Sequence, residues 1–274
     1  MSRSVLRFAL STSLAVLCTA AFVVFSARLA SPVHAQQQPQ PRRRAVAPTR
    51  SSVNTPPAPD SLLGFKPGDD RTIADWQQIV NYFTRLDAAS DRMQLRTIGM
   101  TTLGRPLIVA FISAPENIRN LAKYQDIQRR LADPRLNPVN GDANWGERLA
   151  REGKTVVAIS CSIHSTEIVA SQMSMQLAYE LASATDAGTR EILQNTILLL
   201  VPSANPDGVD IVANWYRKTL GTPYEGTEPP ELYHHYAGHD NNRDWFMLNL
   251  EETRLITCLF WREWFPQIVY AVEL

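Results

Sequence analysis

Hydrophobic positions change their spacing several times along this chain, and each change predicts an element. Ile73, Trp76, Ile79, Val80, Phe83 and Leu86 recur at the interval of a helix with one buried face, over residues 72–89. Two strand-like runs follow, MQLRTIGMT at 93–101 and RPLIVAFIS at 105–113, split by Thr102-Leu103-Gly104, so a hairpin is predicted. Residues 115–131 are polar but compatible with a helix, and 133–147 carry the Pro, Gly and Asn of a loop. TVVAISCSI at 155–163 and TILLLVPSA at 196–204 are short unbroken apolar runs, the mark of strands covered on both faces. Between them Ile168, Met173, Leu177 and Leu181 keep helical spacing. Asn205-Pro206-Asp207-Gly208 reads as a turn closing the second run, and residues 218–245 as irregular. Helical spacing returns over 248–264, and PQIVYAVEL at 266–274 predicts another buried strand. Strands alternating with helices predict an α/β domain whose mixed, mostly parallel central sheet is flanked by helices. In such sheets chemistry gathers at the carboxyl ends of strands, where His164 and Asn205 stand.

The first sixty residues do not share this patterning. Arg3 and Arg7 precede an apolar stretch from Phe8 to Phe25, and VHAQQQ follows at 33–38. A basic start, an apolar middle and a small residue predict a signal peptide over 1–35, cleaved after Ala35. An uncleaved anchor is the other reading of the same run, although its hydroxyl residues weaken it. Cleavage implies an exported protein, periplasmic or extracellular, with no stable membrane insertion afterwards. Residues 36–62 are rich in Gln, Pro and Ser and hold too little apolar surface to fold, so they read as a disordered linker. The folded domain is then expected over 63–274.

Composition narrows the class. The 274 residues hold 27 basic and 27 acidic side chains, and that balance removes the electrostatic case for binding nucleic acid. After cleavage only Cys161 and Cys258 remain. Export permits a disulfide between them, and two buried free thiols are equally compatible with the sequence.

Candidate chemistry centres on His164-Ser165-Thr166-Glu167, where an apolar run breaks and helical spacing resumes. A strand-to-helix bend brings an imidazole and a carboxylate three residues apart toward one point, two of the ligands a catalytic zinc needs. The plainer role has Ser165 or Thr166 capping the helix and Glu167 at its positive end. Further along stand the Asn205-Pro206-Asp207-Gly208 turn, NWYRKT at 214–219 and HDNNRDWF at 239–246.

In this order and spacing, the set resembles the zinc metallocarboxypeptidases, the carboxypeptidase A-like peptidases. The resemblance spans roughly residues 70–273, and TIGMTTLGRPLIVAFIS at 97–113 looks like the family's opening hairpin. It implies that His164 and Glu167 ligate Zn2+, that Arg217 polarises the scissile carbonyl, and that Asn242 and Arg243 grip the terminal carboxylate of a peptide. The implied activity is hydrolysis of carboxyl-terminal peptide bonds. The family's third ligand, a histidine, would fall near Ala271 and Glu273, and Glu273 could supply an oxygen instead. His234, His235 and His239 are rival third ligands. The family's catalytic glutamate and substrate-contacting tyrosine are expected beyond Leu274, so the chain reads as the amino-terminal portion of a longer peptidase. An inactive domain that still binds peptide carboxylates is the alternative.

Overall fold

The computed structural model describes residues 55–137, 144–231 and 241–273. The proposed signal peptide and most of the proposed linker therefore lie outside the described residues, as do His234, His235 and His239.

Helix α1 (Pro59–Leu63) comes first, inside the stretch expected to be linker. That expectation needs correcting at its end: Pro59 is buried, and the Tyr82 hydroxyl donates to the Pro57 carbonyl at 3.2 Å. Helix α2 (Trp76–Ala89) starts at a capping box, in which Asp75 and Gln78 satisfy each other's orphan amides. Strands β1 (Met93–Met100) and β2 (Pro106–Ile112) form the expected hairpin. Gly104 closes it with φ 79, in the left-handed region that glycine enters without a Cβ clash. Helices α3 (Pro115–Arg119), α4 (Leu121–Ala132) and α5 (Trp145–Glu152) lead to β3 (Thr155–Cys161). Helices α6 (Ile168–Ser183) and α7 (Ala187–Asn195) lead to β4 (Thr196–Val201). Helix α8 (Pro206–Thr219) follows; after a 3-10 turn at Asn241–Arg243 come α9 (Glu251–Cys258), a π turn (Leu259–Trp264) and β5 (Ile268–Val272).

The sheet order is β1-β2-β4-β3-β5. β2 is antiparallel to both its neighbours, while β4, β3 and β5 are mutually parallel, so every strand but β2 points one way. This is the mixed α/β sheet flanked by helices that the sequence predicts. Successive side chains of a strand face opposite sides. On β2, Ile108, Ala110 and Ile112 join a core with α2 and α6, while Leu107, Val109 and Phe111 join a second core with α4 and the α9 region. Both faces of β2 are therefore covered, which explains its unbroken apolar run.

β5 departs from its prediction. Among the described residues it pairs on one side only, with β3, and Ile268, Val269 and Tyr270 are exposed. Both cysteines among the described residues are free: Cys161 is buried at the end of β3, where burial pushes its thiol up to about 12, and Cys258 is exposed. Among the described residues no helix is long and apolar enough to cross a membrane.

The hairpin turn is tied down by acids from two helices. Asp207 of α8 accepts from Thr101 Oγ1 at 2.6 Å, from Leu103 N at 2.8 Å and from Arg105 at 3.0 Å. Glu252 of α9, 3% exposed, accepts from Thr102 N at 2.8 Å and Thr102 Oγ1 at 3.2 Å. Burial raises the Glu252 carboxyl above its ordinary value and outweighs the lowering effect of the Thr102 amide. The folded state thus holds that proton to higher pH than the unfolded state. Its contribution is complete below the ordinary carboxylate value of about 4.3 and is lost as pH rises through the raised one. Glu252→Gln keeps the shape and removes the charge. Its urea midpoint minus that of the parent is expected to rise between pH 4 and pH 7, and a difference that stays constant or falls would contradict this account.

Candidate metal centre

β3, β4 and β5 are parallel, so their carboxyl ends lie side by side and each delivers one segment to the same rim. After Cys161 the chain turns at Ser162, whose φ of 48 is unusual for a residue with a side chain. Ser162 N donates to Val272 O at 3.3 Å and Ala204 N to Cys161 O at 2.7 Å, so the three strand ends are laced together. Glu167 N then donates to His164 O at 3.0 Å, closing a turn that puts both side chains on one side.

The imidazole Nδ1 of His164 lies 3.0 Å from Glu167 Oε1. Glu273, one residue past β5, completes the group: ligand atoms of His164, Glu167 and Glu273 all lie within 4.8 Å of one another. The second carboxylate oxygen of Glu167, Oε2, is buried and has no hydrogen-bond partner among the described residues. A shielded carboxylate oxygen without a donor is unfavourable, and a cation or proton would satisfy it. One imidazole nitrogen and two carboxylates suit a zinc ion, so the donor set fits the metal that the motif implies.

Of the plainer role, the structure keeps Glu167 at the positive end of the helix and shows no side-chain cap. Glu167 itself is the N-cap position of α6 and makes no side-chain cap, while Ser165 Oγ turns away to donate to Asn205 O at 3.1 Å.

The other candidate residues divide. Asn242 lies beside the group, lining a hollow of about 200 Å³ with Ile163, Trp245, Phe260, Val272 and Glu273. Arg243, next to it on the same 3-10 turn, is exposed. Asp244 anchors this segment: buried, it accepts from Asn249 N at 3.1 Å and Leu250 N at 3.0 Å, and also from Thr253 Oγ1. The sequence reading passed over Asp244, although an acid ahead of a helix start is a familiar sign of backbone anchoring.

Arg217 hydrogen-bonds to α2 and the residues just before it. It sits in the last turn of α8, which starts at the rim with Pro206, so about 16 Å of helix separates the two ends at about 1.5 Å per residue. Its guanidinium is engaged elsewhere, donating to Asp75 Oδ2 at 2.7 Å, Gln78 Oε1 at 2.7 Å and Ile73 O at 2.9 Å. In this arrangement Arg217 fastens α8 to the start of α2. The expected W-R-K-T-like stretch is helical here, and the helix turns the arginine toward α2.

A family model described as zinc carboxypeptidase matches residues 79–258. No curated protein matches the chain. Among solved structures, a Burkholderia mallei ATCC 23344 protein assigned as a carboxypeptidase is similar at 15% identity and a TM-score of 0.43, over 72% of this chain and 38% of that one. The metallo-carboxypeptidase from Burkholderia cenocepacia is similar at 16% identity and a TM-score of 0.40, over 67% and 36%. Carboxypeptidase A from Helicoverpa armigera is similar at 18% identity and a TM-score of 0.36, over 60% and 32%. The chain thus spans less than two fifths of the length of each of these three.

Proposed function

Because the chain belongs to the zinc carboxypeptidase family, we propose that it forms part of a zinc-dependent peptidase that removes residues from the carboxyl ends of peptides. The observation that carries this reading is the buried, unpartnered Glu167 Oε2 within a cluster of one imidazole and two carboxylates. His164, Glu167 and Glu273 would hold the zinc. When bound, the ion supplies Lewis acidity, which eases deprotonation of a water and polarises a carbonyl.

The chain's own residues orient the substrate. The Asn242 amide borders the hollow beside Glu273 and can donate to a peptide carboxylate arriving there. Arg243 follows it on the same turn and offers a planar fork of donors matched to that carboxylate. Carboxylate recognition one step from the metal sets the register of an exopeptidase. The apolar walls of Trp245, Phe260 and Val272 limit water at the site, which strengthens each charged contact. Arg217, tied to Asp75 and Gln78, is left out of this scheme. Export, with cleavage after Ala35, belongs to the same proposal and rests on the basic and apolar pattern of the first residues.

Zinc content and peptide cleavage test the reading together. Purified protein is expected to carry one zinc per chain, and His164→Ala to lose it, with secreted material beginning at Gln36. A stoichiometric zinc that survives His164→Ala would refute the ligand assignment. Release of the last residue from a peptide with a free carboxylate, but not from its amidated twin, is the activity expected of the longer peptidase of which this chain forms part. Binding of the free-carboxylate peptide without cleavage would leave the inactive, carboxylate-capturing reading in its place.

A further inference from the structure

The loop that carries His164 and Glu167 makes no side-chain cap on its own helix. Both flanks of His164 are instead fastened to one residue across the sheet rim. Asn205 Nδ2 donates to the carbonyl of Ile163, before the histidine, at 3.3 Å. The Asn205 carbonyl accepts from Ser165 Oγ, after the histidine, at 3.1 Å. Asn205 Oδ1 meanwhile accepts from Gly208 N at 3.0 Å and so caps α8. Asn205 is 1% exposed and Ser165 2% exposed, so these bonds are made away from water. Ser203 adds a neighbouring tie, donating to Ser162 O at 3.3 Å while accepting from Asn205 N at 3.0 Å.

We propose that Asn205 is a positioning residue for the metal centre, holding the main chain on either side of His164 so that the imidazole faces Glu167 before any ion arrives. The inference rests on the reading of His164, Glu167 and Glu273 as zinc ligands. His164 lies beyond the β3 ladder, after a strained turn at Ser162, so the strand itself does not orient it. A ligand fixed in advance loses less freedom on binding than one that must be ordered by the ion. Groups behind the ligands typically control metal affinity by about 10–100-fold.

Asn205→Ser tests this. Serine retains a cap for α8 but is too short to reach the Ile163 carbonyl, and it adds no charge near the metal. Zinc affinity, measured by competition with a chromophoric chelator, is expected to fall about 10–100-fold. Asp186→Ala is the control: it removes another helix cap, the 2.8 Å bond that Asp186 accepts from Thr189 N on α7. This variant should lower the melting temperature yet leave zinc affinity within about twofold of the parent, since a cap contributes stability alone. If Asn205→Ser does not fold, Ser165→Ala removes the other tie and should still weaken zinc several-fold. Parent-like affinity in Asn205→Ser or in this substitute, or an equal loss in Asp186→Ala, would overturn the positioning role while leaving the metal centre intact. A parent chain that binds no zinc would overturn both readings.

Discussion

Asp207→Ala is expected to lower stability by about 3 kcal/mol, read as a shift of the urea midpoint at unchanged slope. The carboxylate is 5% exposed and accepts three bonds from the β1–β2 turn, from Thr101, Leu103 and Arg105. Alanine removes all three bonds at once. Thr101 is itself buried, so its hydroxyl loses a partner where water does not replace it. Arg105 fares better, because it keeps its second carboxylate on Asp210. That retained pair places the estimate at the low end of the about 3–5 kcal/mol found for broken buried ion pairs. Asp207→Asn keeps the volume and one acceptor and should lose about half as much. A loss below about 1 kcal/mol for the alanine variant would mean that the turn is hydrated rather than clamped.

Gly208→Ala should also destabilise, and for a steric reason that can be reversed. A Cβ built at Gly208 would sit 2.2 Å from Ser165 Oγ, 2.7 Å from Asn205 Nδ2 and 2.8 Å from Ser165 Cβ. Rotating the Ser165 hydroxyl clears only the first of these, so main chain must move. Overpacking of this kind costs about 1–3 kcal/mol, occasionally more. Alanine regains up to about 1 kcal/mol of helix propensity over glycine. With close contacts to two buried side chains the clash dominates, and a net loss of about 2 kcal/mol is expected. The displaced atoms belong to the loop beside His164, so zinc affinity should fall in the same variant. Ser165→Gly removes both the Oγ and the Cβ that collide. The double variant should therefore be more stable than the sum of the two single effects, by about 1 kcal/mol or more in a double-mutant cycle. Additive losses would show that the collision is not the cause.

These two neighbours explain why part of the site was legible in the sequence and part was not. His164 and Glu167 stand three residues apart at the end of an apolar run, and local chain geometry alone brings them together. Glu273 is more than a hundred residues away and joins them only because β5 pairs with β3 in parallel register. Asn205-Pro206-Asp207-Gly208 reads as a turn in the sequence, yet it opens α8. Asparagine before proline is an N-cap followed by the first helical residue, and Val209, Val212, Ala213 and Tyr216 continue at helical spacing. That signal was present and outweighed by the turn-forming character of the four residues. Placing α8 there is also what lets Arg217 reach Asp75.

The sequence by itself determined the elements that rest on short-range periodicity: the amphipathic α2, the β1–β2 hairpin, the apolar β3 and β4, and the His164–Glu167 bend. Each follows from which neighbours along the chain must share a buried face. Only the tertiary structure decided the order of the strands, that Glu273 comes beside His164, and that Asn205 rather than a local cap holds the loop. Those outcomes depend on strand order and register, which bring distant residues together and leave no periodic trace in the chain.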